Sequence, residues 1–219
     1  MILAVDIGNS AVKFGLFQGD RLLKAWRIPH GHRLPRLPRG MVRVAVSSVN
    51  PAALRKILPQ LKAPVRMAGR DFRIPLKGAG RGTGTDRLLA AYAAWKRVRG
   101  PVAVIDVGTA MTLTLVDAQG RFLGGAIFAG PETARATLAR RASGLPMGWL
   151  SPSTRAALRS GEALAYRGFV REGIAEATKR LGRNPKVFLT GGGGRILSER
   201  LSLPYRPYLV LEGLAASEA

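Results

Sequence analysis

The sequence contains one short unit twice, and this repeat constrains the fold more than any other feature. Residues 4–10 read Ala-Val-Asp-Ile-Gly-Asn-Ser, and residues 104–110 read Val-Ile-Asp-Val-Gly-Thr-Ala, with Asp and Gly at the same spacing. Each copy begins as an apolar run too short for a helix, which predicts a buried strand that ends in a tight turn. A second pair of segments also corresponds: residues 19–23 match residues 119–123. The repeat indicates that one supersecondary unit is used twice.

Each copy of the turn has the composition of an anion-binding site. Backbone N–H groups and small hydroxyls can receive an anion, and the carboxylate of Asp6 or Asp106 can hold a metal beside it. One such turn is also ordinary hairpin chemistry, because Asp, Gly and Asn are common turn residues. The recurrence favours a function: two equivalent turns that face each other across a cleft could hold a polyphosphate from both sides.

Length and composition limit the class of protein. The chain has 219 residues, 47% of them hydrophobic, which predicts a globular protein of one large domain or two small ones. The boundary falls best at Gly100 and Pro101, so we predict domains at residues 1–99 and 100–219. The absence of cysteine excludes disulfides, thiolate zinc sites and cysteine nucleophiles. Because no signal peptide or membrane-length apolar run is present, we expect a cytoplasmic protein without membrane contact.

The net charge of +22 indicates anionic partners. Nucleic acid is the less favoured class of partner, because the arginines are spread along the chain and the aromatic residues, only 6%, do not alternate with them. His30 and His32 lie in a Pro- and Arg-rich loop over residues 29–40. They could ligate a metal, but their surroundings favour an exposed basic loop.

The apolar patterns predict strands and helices in alternation. We expect three strands in residues 1–28 and three more in residues 102–128. Further strands are predicted at residues 41–46, 65–67, 74–76, 186–189 and 208–210. Helices are predicted at residues 51–61, 88–95, 132–142, from residue 155, at 168–181 and at 195–201, with a short C-terminal helix after residues 213–214.

Two glycine-rich segments each allow two interpretations. The segment 78–84 precedes Thr85, Asp86 and Arg87, and it fits neither a P-loop nor a dinucleotide fingerprint. Thr85 could cap a helix whose dipole Asp86 favours, or the glycines could bring Asp86 and Arg87 to a substrate. Residues 191–194 are four glycines after a strand, which suit either a flat approach to adenine or a tight turn into a helix.

The ordered set of motifs resembles the type III pantothenate kinase family. The matching segments are residues 6–10, 84–87, 105–110, 124–127, 190–193 and 210–214, which span nearly the whole chain. The family belongs to the actin, Hsp70 and sugar-kinase superfamily. The resemblance therefore implies an α/β fold of duplicated ribonuclease-H-like halves, with two mixed sheets around a central cleft. It also implies phosphorylation of pantothenate by ATP, the first step to coenzyme A.

The resemblance also implies roles for individual residues. Asp86 corresponds to the catalytic base, Arg87 could steady developing charge, and Asp106 corresponds to a ligand of K⁺ or NH₄⁺. Asp6 and Asp106 would organise Mg²⁺ and the cation about the phosphates. The implied ATP-binding residues are Asp6, Ile7, Gly8, Asn9, Ser10, Ala11, Val12, Lys13, Thr109, Gly191, Gly192 and Gly193. The implied pantothenate-binding residues are Gly84, Thr85, Asp86, Arg87 and Thr154.

The family resemblance further implies a homodimer, and the sequence departs from the family in two places. Lys77 stands where family members usually carry a pantothenate-contacting Tyr, and the Pro-Gly after Gly-Ala-Ile is reordered as residues 129–131. Two alternatives stay open. One is another phosphotransferase or phosphatase of the superfamily, acting on a sugar or on polyphosphate. The other is a noncatalytic regulator that binds nucleotide or nucleic acid.

Overall fold

The computed structural model describes residues 1–34, 43–61, 63–80, 82–141 and 152–218, with no description of the side chains of 152–155. The chain forms two compact units. The first comprises Met1–Gly100, Val116–Leu123 and Tyr208–Ala219, and the second comprises Pro101–Leu115 and Gly124–Pro207. The chain therefore leaves the first unit twice and returns to it twice.

The first unit contains a mixed five-stranded sheet in the order β3-β2-β1-β4-β5. Its strands are β1 (Ile2–Ile7), β2 (Ala11–Gln18), β3 (Arg21–Pro29), β4 (Arg43–Ser48) and β5 (Val65–Met67). The pairs β1–β2 and β2–β3 are antiparallel, whereas β1–β4 and β4–β5 are parallel. Because β1 lies at the centre and is buried on both faces, the strand reads as a continuous apolar run.

Three α-helices accompany this sheet: α1 (Pro51–Ile57), α2 (Thr85–Val98) and α6 (Leu209–Ser217), with a 3-10 turn at Leu58–Gln60. Helix α6 packs against α2 and against β1. The approach to α2 is so close that a Cβ on Gly213 would lie 2.2 Å from the Leu89 carbonyl oxygen. The C-terminal helix is thus part of the core that also contains the first strand.

The second unit is built on a four-stranded sheet in the order β8-β7-β6-β9. Its strands are β6 (Val102–Val107), β7 (Ala110–Val116), β8 (Phe122–Ala129) and β9 (Lys186–Thr190). The pair β6–β9 is parallel, whereas the two-residue connection from β6 to its neighbour β7 requires an antiparallel pair. The helices are α3 (Pro131–Arg141), α4 (Pro152–Leu181) and α5 (Gly194–Leu201). The tip of the β7–β8 hairpin, Val116–Leu123, is counted with the first unit.

The three strands predicted in each copy of the repeat are confirmed, but three local predictions are wrong. Helix α6 begins at Leu209 with Tyr208 as its N-cap, and residues 74–76 are not a strand. Helix α4 is continuous through Gly168, because an isolated glycine costs a helix only about 1 kcal/mol. Thr85 is the first residue of α2 and does not cap it; the preceding Gly84 provides no side-chain cap. Residues 41–42 of the predicted fourth strand lie outside the described residues.

Hydropathy along the described part of the chain reveals no helix with both the length and the apolar character needed to span a membrane.

Candidate active site

The first repeated turn begins at Asp6, which is buried near the end of β1. Its neighbours across the sheet are Lys13 on β2 and Ser47 on β4. Directly paired residues of adjacent strands point to the same face of a sheet, so the three polar side chains share one face. The Lys13 Nζ lies 3.8 Å from Oδ2 of Asp6, which partly neutralises the buried carboxylate.

The residues at the tip of the turn are exposed. The Gly8 N–H donates to the Ala11 carbonyl over 3.1 Å and closes the turn, while Asn9 and Ser10 are exposed. A short turn with exposed small residues can present N–H groups to an anion. Anion binding at this turn stays a prediction.

Helix α2 is fastened to the strand beside Asp6. The Ser47 hydroxyl is fully buried and shares a hydrogen bond of 2.8 Å with the Thr85 hydroxyl. Because Ser47 is paired with Asp6 in the sheet, this bond brings the start of α2 to the face that carries Asp6. The predicted substrate motif and the first predicted phosphate turn are therefore neighbours within one unit.

Asp86 and Arg87 occupy the first turn of α2. The Asp86 Oδ1 accepts a hydrogen bond of 2.8 Å from the Arg87 N–H, and a Cβ on Gly84 would lie 2.6 Å from the same oxygen. A residue larger than glycine at position 84 would therefore displace the carboxylate. Burial lowers the pKa of the Arg87 guanidinium, and the Asp86 carboxylate opposes this shift. The Arg87 guanidinium lies 5.8 Å from the Phe122 ring centroid.

A turn that sequence reasoning missed lies beside this motif. It follows β5, and a Cβ on Gly69 would lie 3.2 Å from Cγ2 of Thr85. Asp71 holds the turn by accepting from the Met67 N–H over 2.7 Å and from two nitrogens of Arg70. These bonds lower the pKa of Asp71 to about 2, with the Arg70 side chain as the largest cause. The signal was the Gly-Arg-Asp sequence, a typical turn composition.

The structure places His30 differently from the exposed loop position that the sequence indicated. It is half-buried and not exposed, and its Nε2 lies 2.8 Å from the Gly8 carbonyl oxygen in the first turn. Its backbone N–H also donates to the Ser10 carbonyl over 3.4 Å. His32 is exposed, as predicted for the loop. The sequence carried no signal for the His30 contact, which joins residues 22 positions apart.

The second repeated turn lies between β6 and β7. The Gly108 N–H donates to the Ala110 carbonyl over 3.0 Å, so this turn is one residue shorter than the first. The Thr109 carbonyl accepts from the Gly130 N–H over 3.0 Å and from the Thr133 hydroxyl over 2.7 Å. The start of α3 therefore lies against the second turn. The reordered Gly130 is needed there, because a Cβ on it would lie 1.9 Å from the Gly108 carbonyl oxygen.

Glycines after β9 lie against Asp106. Asp106 is paired with Thr190, and the chain then turns at Gly191 with φ +80°. A Cβ on Gly191 would lie 2.2 Å from Oδ1 of Asp106, and one on Gly193 would lie 2.7 Å from Cγ1 of Val107. The Tyr205 hydroxyl donates to the Gly191 carbonyl over 2.9 Å. Only glycine allows β9 and the following turn to approach the Asp106 strand end this closely.

The structure thus groups the predicted residues in two sets. The first unit holds Asp6, Lys13 and the motif of residues 84–87, and the second holds Asp106, Thr109 and the glycines 191–193. Among the described residues, no three His, Cys, Asp or Glu side chains form a metal-binding group. Thr154 lies in α4, but its side chain is outside the described part.

Comparison with known proteins decides the family. The sequence profile described as type III pantothenate kinase matches residues 2–176. The chain belongs to the type III pantothenate kinase family. A type III pantothenate kinase of Frankia alni is 32% identical over 246 residues, covering 98% of this chain and 97% of that protein. One from Thermus thermophilus is 35% identical over 223 residues, covering 88% and 87%.

Solved structures agree with the fold. A protein of Campylobacter jejuni, named as a conserved Baf family transcriptional activator, is similar with a TM-score of 0.66 at 20% identity, covering 96% of this chain and 94% of that one. Lmo2764 of Listeria monocytogenes, named for N-acetylmannosamine kinase, gives a TM-score of 0.55 at 13% identity, covering 98% and 97%. The predicted α/β fold with two mixed sheets is confirmed.

Proposed function

We propose that the chain transfers the γ-phosphoryl group of ATP to the primary hydroxyl of pantothenate, giving 4'-phosphopantothenate and ADP in the first step of coenzyme A synthesis. The observation that carries this proposal is the Ser47–Thr85 hydrogen bond, which brings the start of α2, with Asp86, to the sheet face that carries Asp6. Membership of the family over residues 2–176 supplies the substrate class. Because the reaction uses ATP and a soluble vitamin, the expected location is the cytoplasm.

In the first unit, residues 6–13 bind the phosphates of ATP. The exposure of Asn9 and Ser10 supports this role, since a turn of small exposed residues can present N–H groups to phosphate oxygens. Lys13 supplies positive charge beside the Asp6 carboxylate, at 3.8 Å. Phosphoryl transfer depends mainly on positioning and charge neutralisation, and this turn provides both.

In the second unit, Thr109 contacts ATP and the glycines 191–193 lie against the adenosine. The absence of side chains at these glycines supports the role, because a flat backbone surface suits a planar ring. Asp106 is a ligand of K⁺ or NH₄⁺. Its carboxylate lies against Gly191, where a side chain would collide with Oδ1, so glycine at this position leaves the carboxylate room.

The described carboxylates are too few to hold a metal by themselves, but they suit a Mg²⁺ ion that binds together with ATP. No group of three potential ligands is present among the described side chains, and Mg²⁺ usually takes one or two carboxylates together with phosphates and water. In the first unit, Asp6 would hold it. When bound, the ion neutralises charge on the phosphates.

Asp86 is the general base that accepts the proton of the pantothenate hydroxyl, and Arg87 stabilises charge that develops during transfer. Partial burial of Arg87 supports this role, because a charge acts more strongly away from water. Gly84, Thr85 and Thr154 contact pantothenate together with these two residues. Lys77 takes the place of the usual Tyr and can pair with the pantothenate carboxylate.

The family resemblance and an exposed apolar surface support a homodimer through the second unit. Strand β8 is an edge strand, and Ile127 and Phe128 on it are 64% and 49% exposed. Leu138 of α3 and Leu164 of α4 are 44% and 65% exposed. The Phe128 ring contacts Tyr166 of α4, and Arg135 of α3 forms an ion pair with Glu162 of α4, so the three elements adjoin and we call their exposed apolar residues one face. A second copy of the chain is the partner that we propose for it.

The direct test is a coupled kinase assay with pantothenate, ATP and Mg²⁺, run with and without K⁺ or NH₄⁺. We expect ADP release that requires pantothenate and is stimulated by the monovalent cation, with a product heavier than pantothenate by one phosphoryl group. A panel of sugars and polyphosphate in place of pantothenate tests the other phosphotransferase activities. Turnover with a sugar and none with pantothenate would overturn the proposal.

The charge of +22 favours a second candidate, a noncatalytic regulator that binds nucleotide or DNA. The Campylobacter jejuni protein with the same fold carries the name of a transcriptional activator. Selective binding to one DNA sequence at physiological salt, without pantothenate-dependent turnover, would support this candidate. Binding that is independent of sequence and lost with added salt would be explained by charge alone.

A further inference from the structure

His30 makes two hydrogen bonds to the turn that carries Asn9 and Ser10. The β2–β3 ladder pairs Ala11 with Pro29, and the His30 N–H extends it by donating to the Ser10 carbonyl over 3.4 Å. The ring then reaches the same turn, with Nε2 2.8 Å from the Gly8 carbonyl oxygen. The first turn is thus held from the side of β3 by one residue.

The chemistry of this contact assigns the ring proton. A carbonyl oxygen only accepts hydrogen bonds, so Nε2 of His30 must carry a hydrogen, either in the neutral Nε2–H tautomer or in the imidazolium. The peptide between Gly8 and Asn9 is planar and trans, so its C=O and N–H point in opposite directions. A bond that holds the Gly8 carbonyl toward His30 therefore aims the Asn9 N–H away from it.

We propose that His30 is a positioning residue that orients the Gly8–Asn9 peptide, so that the Asn9 N–H can donate to a phosphate oxygen of ATP. The inference rests on the proposed ATP-binding role of residues 6–13. A turn that is already oriented loses less conformational freedom when it binds a ligand, which increases affinity. His30 contributes to ATP affinity through the turn and makes no contact with the hydroxyl that reacts.

The surroundings of His30 offer suitable variants. The ring lines a cavity of about 470 Å³ between the end of β3 and α1, so a longer flexible side chain has space at this position. His30→Gln restores an N–H donor at the distance of Nε2, whereas His30→Ala removes it. His32→Ala is the matched control, because His32 is an exposed histidine of the same loop that also lines the cavity.

The experiment measures Mg²⁺·ATP binding by calorimetry and steady-state kinetics in the full-length protein and the three variants. For His30→Ala we expect the ATP Kd and KM to rise roughly 3- to 10-fold, the scale of one net hydrogen bond. The pantothenate KM at saturating ATP should stay within about twofold. His30→Gln should recover most of the ATP affinity, and His32→Ala should match the unmodified protein. Nitrogen-15 NMR should show a protonated Nε2 at His30.

Several results would overturn the inference. One is an unchanged ATP Kd in His30→Ala, and another is an equal loss in His32→Ala. Failure of His30→Gln to recover ATP affinity in a protein of normal thermal stability would also overturn it. So would nitrogen-15 NMR that shows no hydrogen on Nε2 of His30. If the unmodified protein binds no ATP, the proposed function fails as well. If it binds ATP and only the His30 variants behave otherwise than expected, the inference alone fails.

Discussion

At the scale of single residues, Asp86 is the side chain on which the proposed reaction depends most. We expect Asp86→Asn to lower kcat by about 10²–10⁴-fold, because a positioned general base contributes an acceleration of this size. The ATP Kd should stay within about twofold, since Asp86 contacts the acceptor and not the nucleotide. Asp20→Asn, which alters only an exposed ion pair with Lys96, is the control and should keep full turnover. Near-normal kcat in Asp86→Asn would remove the residue from this role.

Gly191 offers a second test at residue scale, because Gly192 beside it serves as an internal control. Gly191→Ala would force alanine into a left-handed backbone conformation, which costs about 1–3 kcal/mol. Its methyl group would also collide with the Asp106 carboxylate. A Cβ on Gly192 meets nothing within 4 Å. Urea unfolding should show a loss of stability for Gly191→Ala and little change for Gly192→Ala. Equal stability of the two variants would contradict this account.

The sequence predicted the positions of strands and turns where the signal lay in adjacent residues. The repeated Asp-x-Gly spacing correctly indicated two equivalent strand ends, because the apolar run and its turn are adjacent in the chain. The Ser47–Thr85 bond and the His30–Gly8 contact were missed, because each joins residues far apart in sequence that only the finished sheet brings together.

At the scale of elements, α6 shows how packing outweighs local propensity. Tyr208, Leu209 and Val210 have the composition of a strand and were predicted as one. The segment instead buries Leu209, Leu211 and Leu214, and a helix is the element that places these side chains against α2 and β1. A sequence pattern alone does not distinguish a buried strand from a buried helix when the apolar run is short.

The end of α6 is anchored by the buried carboxylate of Glu218, which two partly exposed arginines contact, and this provides a prediction for the element. The Glu218 side chain is 1% exposed, and its oxygens lie 3.1 Å from Arg66 and 3.7 Å from Arg43. Glu218→Gln should lower the free energy of unfolding by about 1–3 kcal/mol, because it weakens charged hydrogen bonds in a buried position. Glu199→Gln, which alters an exposed pair with Arg195, should change it by less than about 0.5 kcal/mol. Equal effects in urea titrations would show that Glu218 is not an anchor.

The turn after β5 predicts a pH dependence. The folded pKa of Asp71 is about 2, against 3.8 as the ordinary value. A lowered carboxylate pKa adds stability that is fully present above pH 3.8 and is lost as the pH falls toward 2. Carbon-13 NMR of the carboxyl group should give a midpoint near 2 that moves toward 3.8 in Arg70→Ala. Arg73→Ala, at an exposed neighbour, should leave the midpoint unchanged.

At the scale of the whole molecule, the exposed apolar face of the second unit predicts self-association. Ile127→Glu should convert a dimer into a monomer of 23.4 kDa in light scattering, because it places a charge in a face that the partner covers. Leu23→Glu, at a 41% exposed position on the edge strand β3 of the first unit, should leave the dimer intact. A monomeric unmodified protein would contradict the proposed dimer.

The return of α6 to the first unit also matters for how the protein is made. Strand β1 leaves the ribosome before α6, and the helix that covers it is synthesised more than 190 residues later. The apolar face of the sheet that includes β1 therefore stays uncovered, in contact with water or with a chaperone, until residues 209–217 are synthesised. A chain truncated before residue 209 would lack the helix that completes the hydrophobic core around β1.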